Sequence, residues 1–188
     1  NLDKDEILKL AIELEGHPDN VAPAIYGNMI IAFMEDGNLY HESIKVPEEI
    51  RFLAMVPDFE LSTEKARAVL PKEIPHKDGV FNVSRCALLI AAFTKNNLDL
   101  VKAACKDKFH QDYRSHLINN YDDIVAYANS LDSLGTFLSG AGPTIMTLAK
   151  DSDNEILDKM KSYLSTLEDN WQILDLHCDP NGAYYKEV

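Results

Sequence analysis

His17, Asp19 and Asn20 fall within four positions of EGHPDN, residues 15–20, with Pro18 among them. An aspartate supplies an acceptor, a histidine a titratable donor and an asparagine both, while a proline stiffens the loop and lowers the entropic cost of holding a ligand. The same residue types also terminate helices, so the stretch reads either as a helix-ending turn or as a ligand loop. In SGAGPT, residues 139–144, Gly140 and Gly142 remove side chains that would keep a ligand or another loop off the backbone. It is neither a GxGxxG nor a Walker A loop, since no GK[ST] occurs, and a plain strand–turn–strand fits it equally. Thr63 and Arg67 are spaced i, i+4 on one helix face, where a hydroxyl and a guanidinium can converge on one carboxylate. An exposed helical arginine with minor surface pairs is the plainer reading of that spacing, and Arg114 in HQDYR carries the same ambiguity. His41, His76, His110, His116 and His177 have no ligand spacing such as HExxH and read as ordinary surface or core histidines.

These groups must be positioned by regular elements. Asp3 and Glu6 have capping-box spacing, and Ile7, Leu10, Ala11 and Leu14 follow on one face, which predicts a helix over 4–15 that stops at Gly16 and Pro18. MIIAF (29–33) and LYHESIKV (39–46) flank Asp36-Gly37-Asn38 and read as a hairpin. A boundary falls near residue 47, and IRFLAMVP (50–57) follows as a buried strand. Ser62 or Thr63 caps a helix running to Pro71, after which PKEIPHKDG reads as a loop. Val83 to Phe93 and Leu100 to Lys108 keep a helical period on either side of Asn96-Asn97, predicting a helical hairpin. Residues 121–134 read as a helix and 136–149 as strand, tight loop, strand. Ser152 and Glu155 predict a capped helix carrying Ile156, Met160, Leu164 and Leu167, and WQILDLHC (171–178) a last strand alternating Leu174, Leu176 and Cys178 with Asp175 and His177. Helices and strands interleave without a regular βαβ repeat, which predicts an α+β layer of antiparallel sheet under helices.

With 188 residues, 46% of them hydrophobic and 26% charged, the chain can bury a real core. No apolar run approaches the roughly 20 residues of a membrane helix. A net charge of −13, from 31 acidic against 18 basic residues, together with the lack of a basic stripe, argues against nucleic acid as a partner. Cys86, Cys105 and Cys178 are odd in number and form no CxxC pair, which predicts reduced thiols in a cytoplasmic protein and no structural zinc. The opening on Asn1, without Met and in mid-pattern, predicts a piece of something longer.

Taken in order, EGHPDNVAPAIYGN, LSTEKARAVLP, VFNVSR, FHQDYR and SGAGPT closely resemble the homoserine kinases of the GHMP kinase superfamily. GHPDNVAP and SGAGP are the specific parts, and the likeness runs through most of the chain. The resemblance implies phosphoryl transfer from ATP, with Mg2+, to the side-chain hydroxyl of L-homoserine, on the route to threonine. It implies that His17, Asp19 and Asn20 contact homoserine around its amino group and reacting hydroxyl, with Asp19 and Asn20 nearest the chemistry. Thr63, Arg67 and Arg114 would hold the substrate carboxylate, and Gly140 would bring backbone against substrate and phosphate. Glu13 in IELEG is the implied magnesium ligand, with Glu15 as competitor, because members of the family often carry an insertion here that this chain lacks. The family's PxxxGLGSSA phosphate loop occurs nowhere among the eight glycines. The resemblance therefore implies a C-terminal portion, catalytically negligible alone: residues 1–46 as the end of the ATP-binding domain, and residues 47–188 as a ferredoxin-like C-terminal domain. A homodimer is implied only by analogy with the family. Another small-molecule kinase of the superfamily, or a non-catalytic ligand-binding or dimerisation domain, stays open as an alternative.

Overall fold

The computed structural model describes residues 2–185, which divide into two compact units, 2–47 with 178–185 and 48–177. The first unit starts with helix α1 (Lys4–Glu15), where the predicted capping box is present: the Asp3 carboxylate accepts from the Glu6 N–H, and the Glu6 carboxylate accepts from the Asp3 N–H. Gly16 ends it at φ 92, a left-handed conformation that favours glycine. Helix α2 (Val21–Tyr26) and the hairpin β1 (Met29–Glu35) and β2 (Asn38–Ile44) complete the unit. Asp36 and Gly37 both have positive φ, as a two-residue primed hairpin turn requires. Leu8, Ile12 and Ala22 form this unit's core, against which Ile30, Ala32 and Leu39 of the hairpin pack.

The sequence expectation gave the chain's last residues to the second domain, whereas residues 178–185 group with the first unit. Backbone contacts hold them there. The Asn28 N–H donates to the Asp179 carbonyl and the Ala183 N–H to the Ala24 carbonyl. The approach is so close that a Cβ on Gly27 would lie 2.6 Å from the Pro180 carbonyl carbon.

The second unit is a four-stranded antiparallel sheet in the order β4-β5-β3-β6, built from β3 (Ile50–Pro57), β4 (Gly135–Leu138), β5 (Ile145–Lys150) and β6 (Trp171–Leu176). Its helices are α3 (Thr63–Ala68), α4 (His76–Thr94), α5 (Val101–Ala104), α6 (Gln111–Arg114), α7 (Tyr121–Ser130) and α8 (Glu155–Leu164). That strand order and the connections through helices are those of a ferredoxin-like split βαβ arrangement. β3 is one of the two inner strands, and its Leu53 and Met55 meet Ile124 and Ala128 of α7 and Ile156, Met160 and Leu164 of α8 in one core. Among the described residues no helix is long and apolar enough to cross a membrane.

Several elements differ locally from the sequence expectation. Helix α4 already begins at His76, inside the expected loop, because Pro75 provides a preset φ before the first turn. The second arm of the expected helical hairpin shrinks to a 3-10 turn (Leu98–Leu100) and α5, which stops before Lys108. Helix α7 ends at Ser130, and left-handed Asp132 redirects the chain into β4. The N-terminus of α8 is held by Asp153, whose carboxylate accepts from the Glu155 and Ile156 N–H groups, so the expected Ser152 cap is replaced by its neighbour. On β6 the core face carries Trp171 and Ile173, while Leu174 and Leu176 remain 37% and 43% exposed on the other face.

The inward polar position on β6 is Asp175, and it is paired. Arg51 on β3, only 7% exposed, donates from Nε to Asp175 Oδ1 at 3.1 Å and from Nη2 to Oδ2 at 2.6 Å, with Nη1 on the Asp153 carbonyl at 3.2 Å. One guanidinium thus ties β3 to β6 and to the start of α8. Arg51→Ala is expected to lower the unfolding free energy by about 2 kcal/mol, below the range for a fully buried pair because the Asp175 side chain is 34% exposed. Arg51→Met, which keeps the packing volume, should cost clearly less, and urea unfolding of the two variants checks the order.

Candidate functional site

In the first unit, α1 ends at the loop that carries the polar cluster. Glu13 and Glu15 are exposed and make no hydrogen bond or ion pair among the described residues. His17 Nδ1 is in contact with the Asp19 carboxylate, which ties the two polar groups of the loop together. Asn20 stands at the head of α2 but its side chain does not cap the helix, and the Asp19 carboxylate is turned to His17. The turn reading accordingly explains less of this loop than its residue types suggested. Among the described residues no three His, Cys, Asp or Glu side chains gather into a metal cage. A single unpaired carboxylate such as Glu13 is still the donor that magnesium takes when phosphate oxygens and water complete its octahedron.

In the second unit three elements converge. Ser62 is the N-cap of α3, its Oγ accepting from the Lys65 N–H at 3.1 Å, and the Thr63 hydroxyl makes no hydrogen bond among the described residues. One turn on, Arg67 is exposed and makes no hydrogen bond or ion pair among the described side chains. Arg114, at the end of α6, donates from Nε to the Ala66 carbonyl of α3 at 2.9 Å and from Nη1 to the Gly140 carbonyl of the SGAGPT loop at 3.1 Å. Its side chain therefore joins helix, helix and glycine loop. Burial, and then the like charge of Arg67, push the Arg114 guanidinium below its usual pKa. Arg67 is thus near enough for its charge to act on Arg114, and among the described residues neither arginine forms an ion pair with a carboxylate.

The SGAGPT loop links β4 to β5, with the Ser139 N–H on the Thr144 carbonyl and the Gly142 N–H on the Ser139 carbonyl, both at 2.9 Å. Gly140 is left-handed at φ +57, and a Cβ placed on it would meet nothing within 4 Å, so open space lies above its backbone. Beside the loop a cleft of about 500 Å³ runs between Pro143–Thr144 and the chain from Val56 to Ser62 and Lys65. Thr63, Arg67, Arg114 and Gly140 thus occupy one region of the second unit, while Glu13, Glu15, His17, Asp19 and Asn20 belong to the first.

Four residues absent from the sequence-derived site support Arg114. Asp107 Oδ2 accepts from the N–H groups of Phe109, His110 and Gln111, at 3.0, 2.8 and 2.8 Å. Burial would raise the Asp107 pKa, but the N–H groups of Gln111 and His110 and the Asn82 amide together hold it below the usual carboxylate range. Gln111 Oε1 accepts from the Leu138 N–H and the Tyr121 hydroxyl, both at 2.9 Å, and so links α6 to the strand that leads into the glycine loop. His110, read from sequence as an ordinary histidine, has Nδ1 3.4 Å from Arg114 Nη1, and its pKa is lowered by burial and then by Arg114, against the pull of Asp107. The one local signal was an aspartate just before a turn, which is a capping pattern and says nothing of what the turn carries.

Residues 89–166 match the family described as GHMP kinases C terminal. A homoserine kinase from Clostridium botulinum (strain ATCC 19397 / Type A) is 50% identical over 182 residues, which are 97% of this chain and 61% of that protein. The chain is thus similar to the GHMP kinases, its residues 89–166 to their C-terminal part. The crystal structure of homoserine kinase from Cytophaga hutchinsonii superposes on this chain with a TM-score of 0.89 at 26% identity, covering 97% of this chain and 60% of that one. L. major mevalonate kinase in complex with R-mevalonate shares the fold, with a TM-score of 0.63 at 20% identity over 88% of this chain and 55% of that one. The chain spans about 61% of the length of the curated relatives that it matches.

Proposed function

We propose that the protein to which this chain belongs is a homoserine kinase, transferring the γ-phosphoryl group of ATP to the side-chain hydroxyl of L-homoserine and supplying O-phosphohomoserine for threonine formation. The observation that carries this reading is Arg114 on the Gly140 carbonyl with Arg67 near enough to act on its charge, two guanidiniums without an ion-pair partner among the described residues of a strongly acidic chain. An α-carboxylate fits such a pair, because a guanidinium offers a planar fork that binds both carboxylate oxygens. Thr63, one turn before Arg67, adds a hydroxyl donor. Half-identity to a homoserine kinase along nearly the whole chain supports the same substrate.

In this reading His17 orients the Asp19 carboxylate, and Asp19 and Asn20 receive the amino group and the reacting hydroxyl. The hydroxyl oxygen attacks the γ-phosphorus in line, the bond to the β-phosphate oxygen breaks, and the hydroxyl proton passes to Asp19 or to solvent. Catalysis of this kind comes mainly from positioning and charge neutralisation. Glu13, or Glu15 next to it, would hold Mg2+, which when bound with the nucleotide neutralises charge on the β- and γ-phosphate oxygens. Reduced cysteines and a cytoplasmic location accord with a kinase that draws on ATP, and a homodimer is the assembly expected from the family.

The test is an ATP-coupled assay of the full-length protein with L-homoserine and with 3-amino-1-propanol, the same acceptor without its carboxylate. Homoserine is expected to be phosphorylated, with kcat/KM at least about 100-fold above the carboxylate-free acceptor, the worth of two or more charge-assisted hydrogen bonds. Equal turnover of both would remove the carboxylate role of the arginine pair. Absence of turnover with homoserine alongside phosphorylation of another alcohol would move the protein to a different kinase of the superfamily, and absence of any ATP-dependent turnover would favour a binding domain.

A further inference from the structure

We infer that Asp107 is a positioning residue for Arg114, acting with Asn82 through the turn between them. Resting on the homoserine-kinase reading, its effect falls on recognition of the acceptor's carboxylate. Asp107 Oδ1 accepts from Asn82 Nδ2 at 2.6 Å, and Asn82 Oδ1 accepts in turn from the Lys108 N–H at 2.8 Å. Together with the three N–H groups on Oδ2, four consecutive backbone amides, 108–111, are fixed by one Asp–Asn pair anchored on α4. The Asp107 side chain is 10% exposed, so these bonds are shielded from water.

What that turn holds is specific. Helix α6 has four residues and cannot sustain itself; its first residue, Gln111, is pinned by Asp107 and by β4, and its last is Arg114. His110, whose own N–H is on Asp107, places Nδ1 against Arg114 Nη1. A neutral imidazole accepts from the guanidinium at that atom, whereas a protonated one would repel it. With Nε on Ala66, and Nη1 on Gly140 and His110, the guanidinium is immobilised and Nη2 is left for a ligand. If the turn loosens, Arg114 keeps its charge but loses its aim, and preorganisation of the Nη2 contact is what such aim supplies.

The experiment uses the full-length protein with Asp107→Asn and, as a milder change should the first disturb folding, Asn82→Ala. Hydrogen exchange of the Arg114 Nε–H, assigned by its loss in Arg114→Lys, is read by NMR and does not depend on the substrate. Both variants are expected to accelerate that exchange and to raise KM for homoserine about 10-fold, with KM for ATP and the melting temperature little changed. In an Arg114→Ala background the same substitutions should change KM for homoserine less than about 2-fold, since residues acting through one group are non-additive. Unchanged Nε–H exchange, or a KM increase equally large without Arg114, would overturn the assignment. Faster exchange in a protein that does not phosphorylate homoserine would support the positioning role and discard the substrate reading instead.

Discussion

Arg67→Lys in the full-length protein is expected to raise KM for L-homoserine by about 10- to 100-fold while KM for ATP stays within about 2-fold, the loss of roughly one to two charge-assisted hydrogen bonds. The charge survives this change and the planar fork does not. Arg67 is the arginine to test first because it is exposed and holds nothing else in place: no described side chain forms an ion pair with it. Arg114, by contrast, also joins Ala66 to Gly140, so its removal mixes ligand binding with structure. Steady-state kinetics with each substrate varied in turn measures the effect. An equal rise for both substrates would place Arg67 at the nucleotide or at neither.

Leu53→Ala is expected to lower the unfolding free energy of the second unit by about 3 kcal/mol, within the range for fully buried leucines. Leu53 is 0% exposed and sits on inner strand β3, opposite Thr147 on β5 and Asp175 on β6, under helices α7 and α8. The matched control is Leu174→Ala on β6, where 37% exposure limits the expected loss to below about 1 kcal/mol. Urea unfolding followed by fluorescence suits the comparison, since the one tryptophan, Trp171, packs against the same core. Equal losses at the two positions would contradict the inward and outward faces described for the sheet.

Where the chemistry of a few neighbouring residues decides an element, the sequence was sufficient. The Asp3–Glu6 capping box and Gly16 bound α1 at both ends, and Asp36-Gly37 fixes the register of the β1–β2 hairpin. β3 could be read as a buried strand because its apolar run is short and ends in a proline. The failures share a different cause. The second arm after Asn96-Asn97 keeps a helical period to Lys108, yet Asn82 on α4 and Asp107 capture the amides that a longer helix would have used. On β6 the alternation of Leu174 and Leu176 pointed to the wrong inner face, since Asp175 faces inward to meet Arg51, 124 residues away in the chain.

The site divides in the same way. The motifs EGHPDN, LSTEKAR, FHQDYR and SGAGPT, in that order along the chain, carried the resemblance to the homoserine kinases, and that resemblance, not the spacing of Thr63 and Arg67, singled out the arginines as candidates for a carboxylate. Only the tertiary structure decided that Arg114 reaches an open Gly140 and feels the charge of Arg67, 47 positions away in a chain of 188. It also decided that Asp107, His110 and Gln111 serve Arg114 rather than the surface. Local sequence fixes what a side chain can do, but the burial and long-range hydrogen bonds that aim it arise only when distant elements share one core.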